Sequence, residues 1–192
     1  MRCTMVSNDR QEMRILVSGC LALLLGARAG ATVLVGADLG ELSREAVAIA
    51  RGRVAAVEGR WGEGRRSIET IVTLDVERYL KGSLGDTVAF RVPGGELGRF
   101  RHLVVGAPEF AVGERIVVFL GARGPSVPYV LGFSQGVLRI ARAADASDWV
   151  TSPVFFPAAP DARFLRGEAS RQRMALSDFE QRVGALAAGG SR

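Results

Sequence analysis

Apolar and polar residues alternate most regularly from Ile68 onward, with Ile68, Thr70, Val72, Leu74 and Val76 on one side and Glu69, Thr73, Asp75 and Glu77 on the other. A period of two, rich in β-branched residues, predicts a strand with one face against a core. Lys81-Gly82 breaks it. Thr87–Val92 repeats the alternation with Val88, Phe90 and Val92 inward, and Pro93-Gly94-Gly95 then turns the chain. Upstream, Val47–Glu58 reads as a long strand whose Gly52 marks a bulge or a sharp bend. Gly59–Arg66 contains Gly59, Gly62 and Gly64 and predicts a hairpin loop that carries Trp61.

Leu97–Val105, Arg115–Leu120, Tyr129–Phe133 and Gly136–Ala141 are further predicted strands, the first two divided by the loop Gly106–Gly113. Asp38 followed by Glu41 is a capping-box pair that opens a short helix ending near Glu45 or Ala46, preceded by the short β-like run Ala31–Val35. Ser177 and Glu180 form the same pattern at the head of Leu176–Ala188, where Phe179, Val183 and Leu186 share one helical face. Many short strands with frequent turns predict a mainly β fold, an antiparallel barrel or sandwich, with the last helix packed on it.

The first residues change the compartment. Arg2, Arg10 and Arg14 precede the apolar run Ile15–Leu25, and Ala27-Arg28-Ala29 supplies a small-x-small site, so residues 1–29 read as a secretory signal peptide. The run is too short for a membrane span, which needs about 20 residues. Val17-Ser18-Gly19-Cys20 resembles a lipoprotein box, but Leu21–Leu25 would then follow the cut, so acylation of Cys20 is the weaker alternative. The expected product is exported to the periplasm or medium, with residues 30–142 as the β domain and 143–192, including Pro153–Pro160, as an irregular strap and terminal helix.

Composition adds exclusions. The chain is 48% hydrophobic and 23% charged, ordinary for a packed domain. Both cysteines, Cys3 and Cys20, fall in the leader, which leaves the mature part without a disulfide or a thiolate metal site. The formal charge is +5, and losing four arginines and two acids with the leader reduces it to +3. Lys81 is the sole lysine, and it lies outside any phosphate-loop context.

Gly132-Phe133-Ser134-Gln135-Gly136 matches the G-x-S-x-G of a nucleophile elbow, yet Val137–Ile140 continues as a strand where the elbow needs a helix. Asp86, His102 and Ser134 follow the chain order of subtilisin-like enzymes, but no other feature supports that assignment. His102 is the only histidine, too few for a histidine metal centre, so no catalytic residue, metal or cofactor is expected. Arg91, Arg99 and Arg101 could serve a polyanion. Alternation, however, puts Arg99 and Arg101 on a solvated face opposite a core Phe100, and nucleic acid is not an expected partner. Trp61, on a glycine-rich hairpin, is a candidate contact residue.

The blocks VTLDVERYLKG, GDTVAFRVPGG, GAPEFAVGERIVVFL and GFSQGVLRI, after a capped helix and a long bent strand, resemble a group of uncharacterised exported bacterial proteins. The layout is similar to the OB-fold of the tissue inhibitors of metalloproteinases and netrin-like modules. That resemblance implies an OB-like, closed or partly open antiparallel barrel whose contact ridge combines Gly30, Ala31 and Thr32 with Arg60, Trp61 and Gly62. It further implies a non-catalytic binding role toward another exported protein, with a zinc metalloprotease as a candidate. The mature chain departs from those inhibitors in lacking the N-terminal cysteine that chelates the protease zinc.

Overall fold

A computed structural model describes residues 38–124, 126–151 and 173–189, so the expected signal peptide 1–29, Gly30, Ala31, Thr32, the run Ala31–Val35 and Pro153–Pro160 lie outside the described residues. The fold is mainly β, and the described residues form two helices, an eight-stranded mixed sheet and a two-stranded ribbon. Helix α1 spans Leu39–Glu45, and the Asp38 carboxylate accepts from the Glu41 amide at 3.2 Å, which is the capping interaction its sequence predicts. Its other end is closed by Lys81, whose Nζ donates to the carbonyls of Ser43 and Arg44 at 2.8 Å each.

Strand β1 (Ala48–Trp61) and β2 (Ile68–Lys81) form a long antiparallel hairpin, to which β3 (Thr87–Pro93) adds with Phe90 opposite Val72. The alternation in β2 and β3 gives what it predicts: Ile68, Val72, Leu74, Val88, Phe90 and Val92 are all buried. β6 (Arg115–Gly121) lies along the first half of β1, pairing Ala48–Arg53, while β7 (Tyr129–Val130) joins β6 to β3. The pairings therefore run from β1 through β2, β3, β7 and β6 back to β1. β3 and β7 are parallel, and every other pairing is antiparallel. β1 serves two neighbours by bending, with register shifts at three points, one of them at Gly52. A side chain there would lie 2.2 Å from the Asp75 carbonyl oxygen.

β6 is apolar on both faces, the pattern of a strand covered twice. Ile116, Val118 and Leu120 face one core with Val54, Leu74 and Phe90. Val117 and Phe119 face another with α1 and with Phe179 and Val183 of α2 (Leu176–Gly189). Each such buried side chain contributes about 1.5–3 kcal/mol. The sheet continues from β6 through β8 (Val137–Arg142), β9 (Asp148–Thr151) and β10 (Arg173–Ala175), so within the expected strap Asp148–Thr151 pairs as a strand, while residues 152–172 lie outside the described residues.

Three other expectations are corrected. The predicted strand Leu97–Val105 is instead a ribbon, β4 (Gly95–Leu97) against β5 (Phe100–His102), because Gly98 turns the chain in the left-handed region at φ 58°. The predicted strand Tyr129–Phe133 stops at Val130, since Gly132 and Phe133 are both left-handed and lead into a 3-10 turn over Phe133–Gly136. The second capping box does not form. The helix starts at Leu176, so Ser177 lies inside it, and Glu180 binds Arg51 at 2.5 Å and Arg78 at 3.2 Å, charge-assisted bonds stronger than a backbone cap.

Candidate functional site

Trp61 is the last residue of β1, paired with Ile68, so the loop is shorter than predicted and comprises Gly62–Ser67. Gly59 and Arg60, expected in the loop, pair with Thr70 and Glu69. Arg60 Nε also donates to the Glu69 carboxylate at 2.9 Å, and the Gly62 amide donates to the Ser67 carbonyl at 2.9 Å. The β4–β5 ribbon crosses the face of the hairpin that bears Gly59, where a methyl group would meet the Glu96 carbonyl oxygen at 1.8 Å. This crossing sets the turn of the ribbon beside the end of β1.

Phe100, expected in the core, is 47% exposed, and its ring stands 5.5 Å from that of Trp61, itself 37% exposed. The Arg99 guanidinium lies 5.1 Å from the Phe100 centroid. Guanidinium, phenyl and indole thus form one exposed series at two adjoining turns. Leu103 and Val105 continue the exposed apolar surface along the chain. Behind it a cleft of about 420 Å³ opens between Val57 and Thr70 of the hairpin, Gly95 and His102 of the ribbon, and Leu103 and Phe110 of the following loop. The sequence signal for this site was Gly98, a glycine inside an alternating run, which marks a turn and moves Phe100 out of the core.

Of the expected ridge, Arg60, Trp61 and Gly62 are adjacent on the hairpin, whereas Gly30, Ala31 and Thr32 lie outside the described residues. Helix α1 borders the opposite end of β1, separated from Trp61 by on the order of 40 Å of strand path. Arg91 is on β3 beside the β7 bridge, and no interaction joins it to Arg99 or Arg101. Arg101 pairs with Glu96 at 3.1 Å.

Ser134 sits in a 3-10 turn that leads into a strand, its amide bonded to the Gly106 carbonyl at 3.0 Å. His102 Nδ1 lies 3.4 Å from the Ile68 backbone. Asp86 accepts from the Val76 amide through its carbonyl. No hydrogen bond links the three. Among the described residues no group of three His, Cys, Asp or Glu side chains is gathered to hold a metal, and no helix is long and apolar enough to cross a membrane.

A second polar cluster lies away from the turns. Glu77 on β2 accepts from Arg115 Nε and Nη2 at 3.2 and 3.1 Å, and Arg115 Nη1 reaches Asp148 on β9 at 2.8 Å. The Arg115 guanidinium holds both carboxyls below their ordinary ranges, and those bonds in turn raise its own affinity for the proton. With Arg51, Arg78 and Glu180 the cluster clamps β1, β2, β6, β9 and α2 together.

Compared with protein-family models, curated proteins and solved structures, the chain matches none of them.

Proposed function

We propose that the chain is an exported, non-catalytic binding module built on an OB-like barrel, and that its contact surface is the Trp61 end of the β1–β2 hairpin. The circuit of pairings through β1, β2, β3, β7 and β6, with its single parallel step, supports the barrel. The exposed Trp61–Phe100 pair carries the binding reading. Two large aromatic rings held in one geometry outside the core bury much area on docking at little entropic cost. The resemblance to the metalloproteinase inhibitors adds Arg60 and Gly62, the neighbours of Trp61, to that contact. The partner is another exported protein, with a zinc metalloprotease as the candidate that the resemblance supplies.

The test uses the domain as bait for the organism's own exported proteins and measures the captured partner's affinity for Trp61→Ala and Phe100→Ala. A central aromatic anchor is worth about 2 kcal/mol or more, so binding weakens roughly 30-fold in each variant. Undiminished affinity in both would remove the proposal.

A further inference from the structure

We infer that the partner surface received by the Trp61 end is acidic as well as apolar, an inference that rests on the binding role proposed above. It comes from how the arginines of the two turns are partnered. Arg60 is neutralised by Glu69 at 2.9 Å, and Arg101 by Glu96 at 3.1 Å. Arg51, Arg78, Arg115, Arg139 and Arg142, elsewhere on the fold, are also paired with carboxylates. Among the described residues Arg44, Arg53, Arg91, Arg123, Arg173 and Arg182 meet no carboxylate at separate places on the fold, and at the turns neither do Arg65, Arg66 and Arg99. All three are exposed and lie on the turns that carry Trp61 and Phe100. Glu63 is the single exposed acid among them on the Gly62–Ser67 turn. The tip therefore keeps an unbalanced positive charge against the aromatic pair.

Arg65 is also held in the left-handed region at φ 55°, a conformation that L side chains seldom adopt. Arg99 rests on the Phe100 ring, which orders the guanidinium without discharging it. A partner presenting carboxylates beside an aromatic or aliphatic anchor satisfies both features. Its acids meet Arg65, Arg66 and Arg99, and its anchor covers Trp61 and Phe100 with the mouth of the adjoining cleft.

The probe is the random copolymer of glutamate and tyrosine, titrated against the exported chain carrying Trp149→Phe, so that Trp61 is the sole indole. Poly-glutamate, a lysine–tyrosine copolymer and phosphatidylglycerol vesicles serve as comparators. The glutamate–tyrosine copolymer is expected to change Trp61 emission and to bind about tenfold tighter than poly-glutamate, with affinity falling between 50 and 500 mM salt, roughly the range over which screening takes hold. Joint replacement of Arg65, Arg66 and Arg99 by Gln weakens it about tenfold, the sum of three exposed charge contacts. These side chains hold no ion pair and only Arg99 has a ring contact, an exposed one, so the variant still unfolds in one transition with its melting temperature lowered by a few degrees at most. Equal binding of the lysine–tyrosine copolymer, an undiminished triple variant, or preference for the vesicles would each overturn the inference. A native partner that is lost with Trp61→Ala yet indifferent to the arginines overturns this inference alone. A partner indifferent to Trp61→Ala overturns the binding role itself.

Discussion

A methyl group on Gly59 would lie 1.8 Å from the Glu96 carbonyl oxygen, and the obstacle is backbone on a crossing strand, which cannot swing aside as a side chain can. Gly59→Ala therefore lifts β4 from the hairpin and opens the Trp61–Phe100 contact, at a cost of about 1–3 kcal/mol. Gly184 is the contrasting case, a glycine in α2 with nothing within 4 Å of an added methyl. Gly184→Ala stabilises by about 0.5–1 kcal/mol, because alanine loses less backbone entropy in a helix. Urea unfolding of the two variants checks both signs, and Trp61 emission checks the opening. The side chains of β2 and β3 could be read directly, since alternation reports a single buried face. Phe100 could not, because the same alternation extended through Gly98 assigns it to the wrong side. Glycine was the discriminating signal, and its left-handed φ is the physical reason.

Elements are joined here by long-range charge, which local spacing does not reveal. Ser177 and Glu180 have the separation of a capping box, but Glu180 serves Arg51 and Arg78, which are distant in sequence. The neighbouring Glu77–Arg115–Asp148 chain ties stability to pH. Both carboxyls have folded values below their ordinary 4.5 and 3.8, so the folded state binds fewer protons there than the unfolded chain. The resulting stability is fully present above those ordinary values and is lost as pH falls through the lower folded ones. Glu77→Gln should thus be less stable than the parent at pH 7. The difference should narrow steadily below pH ~4, as measured by urea midpoints across the acid range. A constant difference would mean that Glu77 acts by packing and not by charge. The first helix was legible from its cap and the second from its apolar face, and Asp38, Phe179 and Val183 take the positions their spacing gives.

At the scale of the whole molecule, the mainly β character and the positions of most strands along the chain follow from turn spacing. The return of β6 to β1 does not, because it depends on a bend in β1 that only Gly52 hints at. The long apolar run Ile116–Leu120 identifies a strand, while its coverage on both sides emerges only when α2 and β1 are placed against it. Since one strand walls both cores, neither can be opened while the other stays shut. Hydrogen exchange should report this as a single cooperative unit: the amides of Val117, Val118 and Phe119 exchange only through global opening, and those of buried Leu74 and Phe179, on opposite sides of that wall, share one opening free energy. The Trp61–Phe100 end of the hairpin lies outside both cores, so whatever touches it leaves either interior shut.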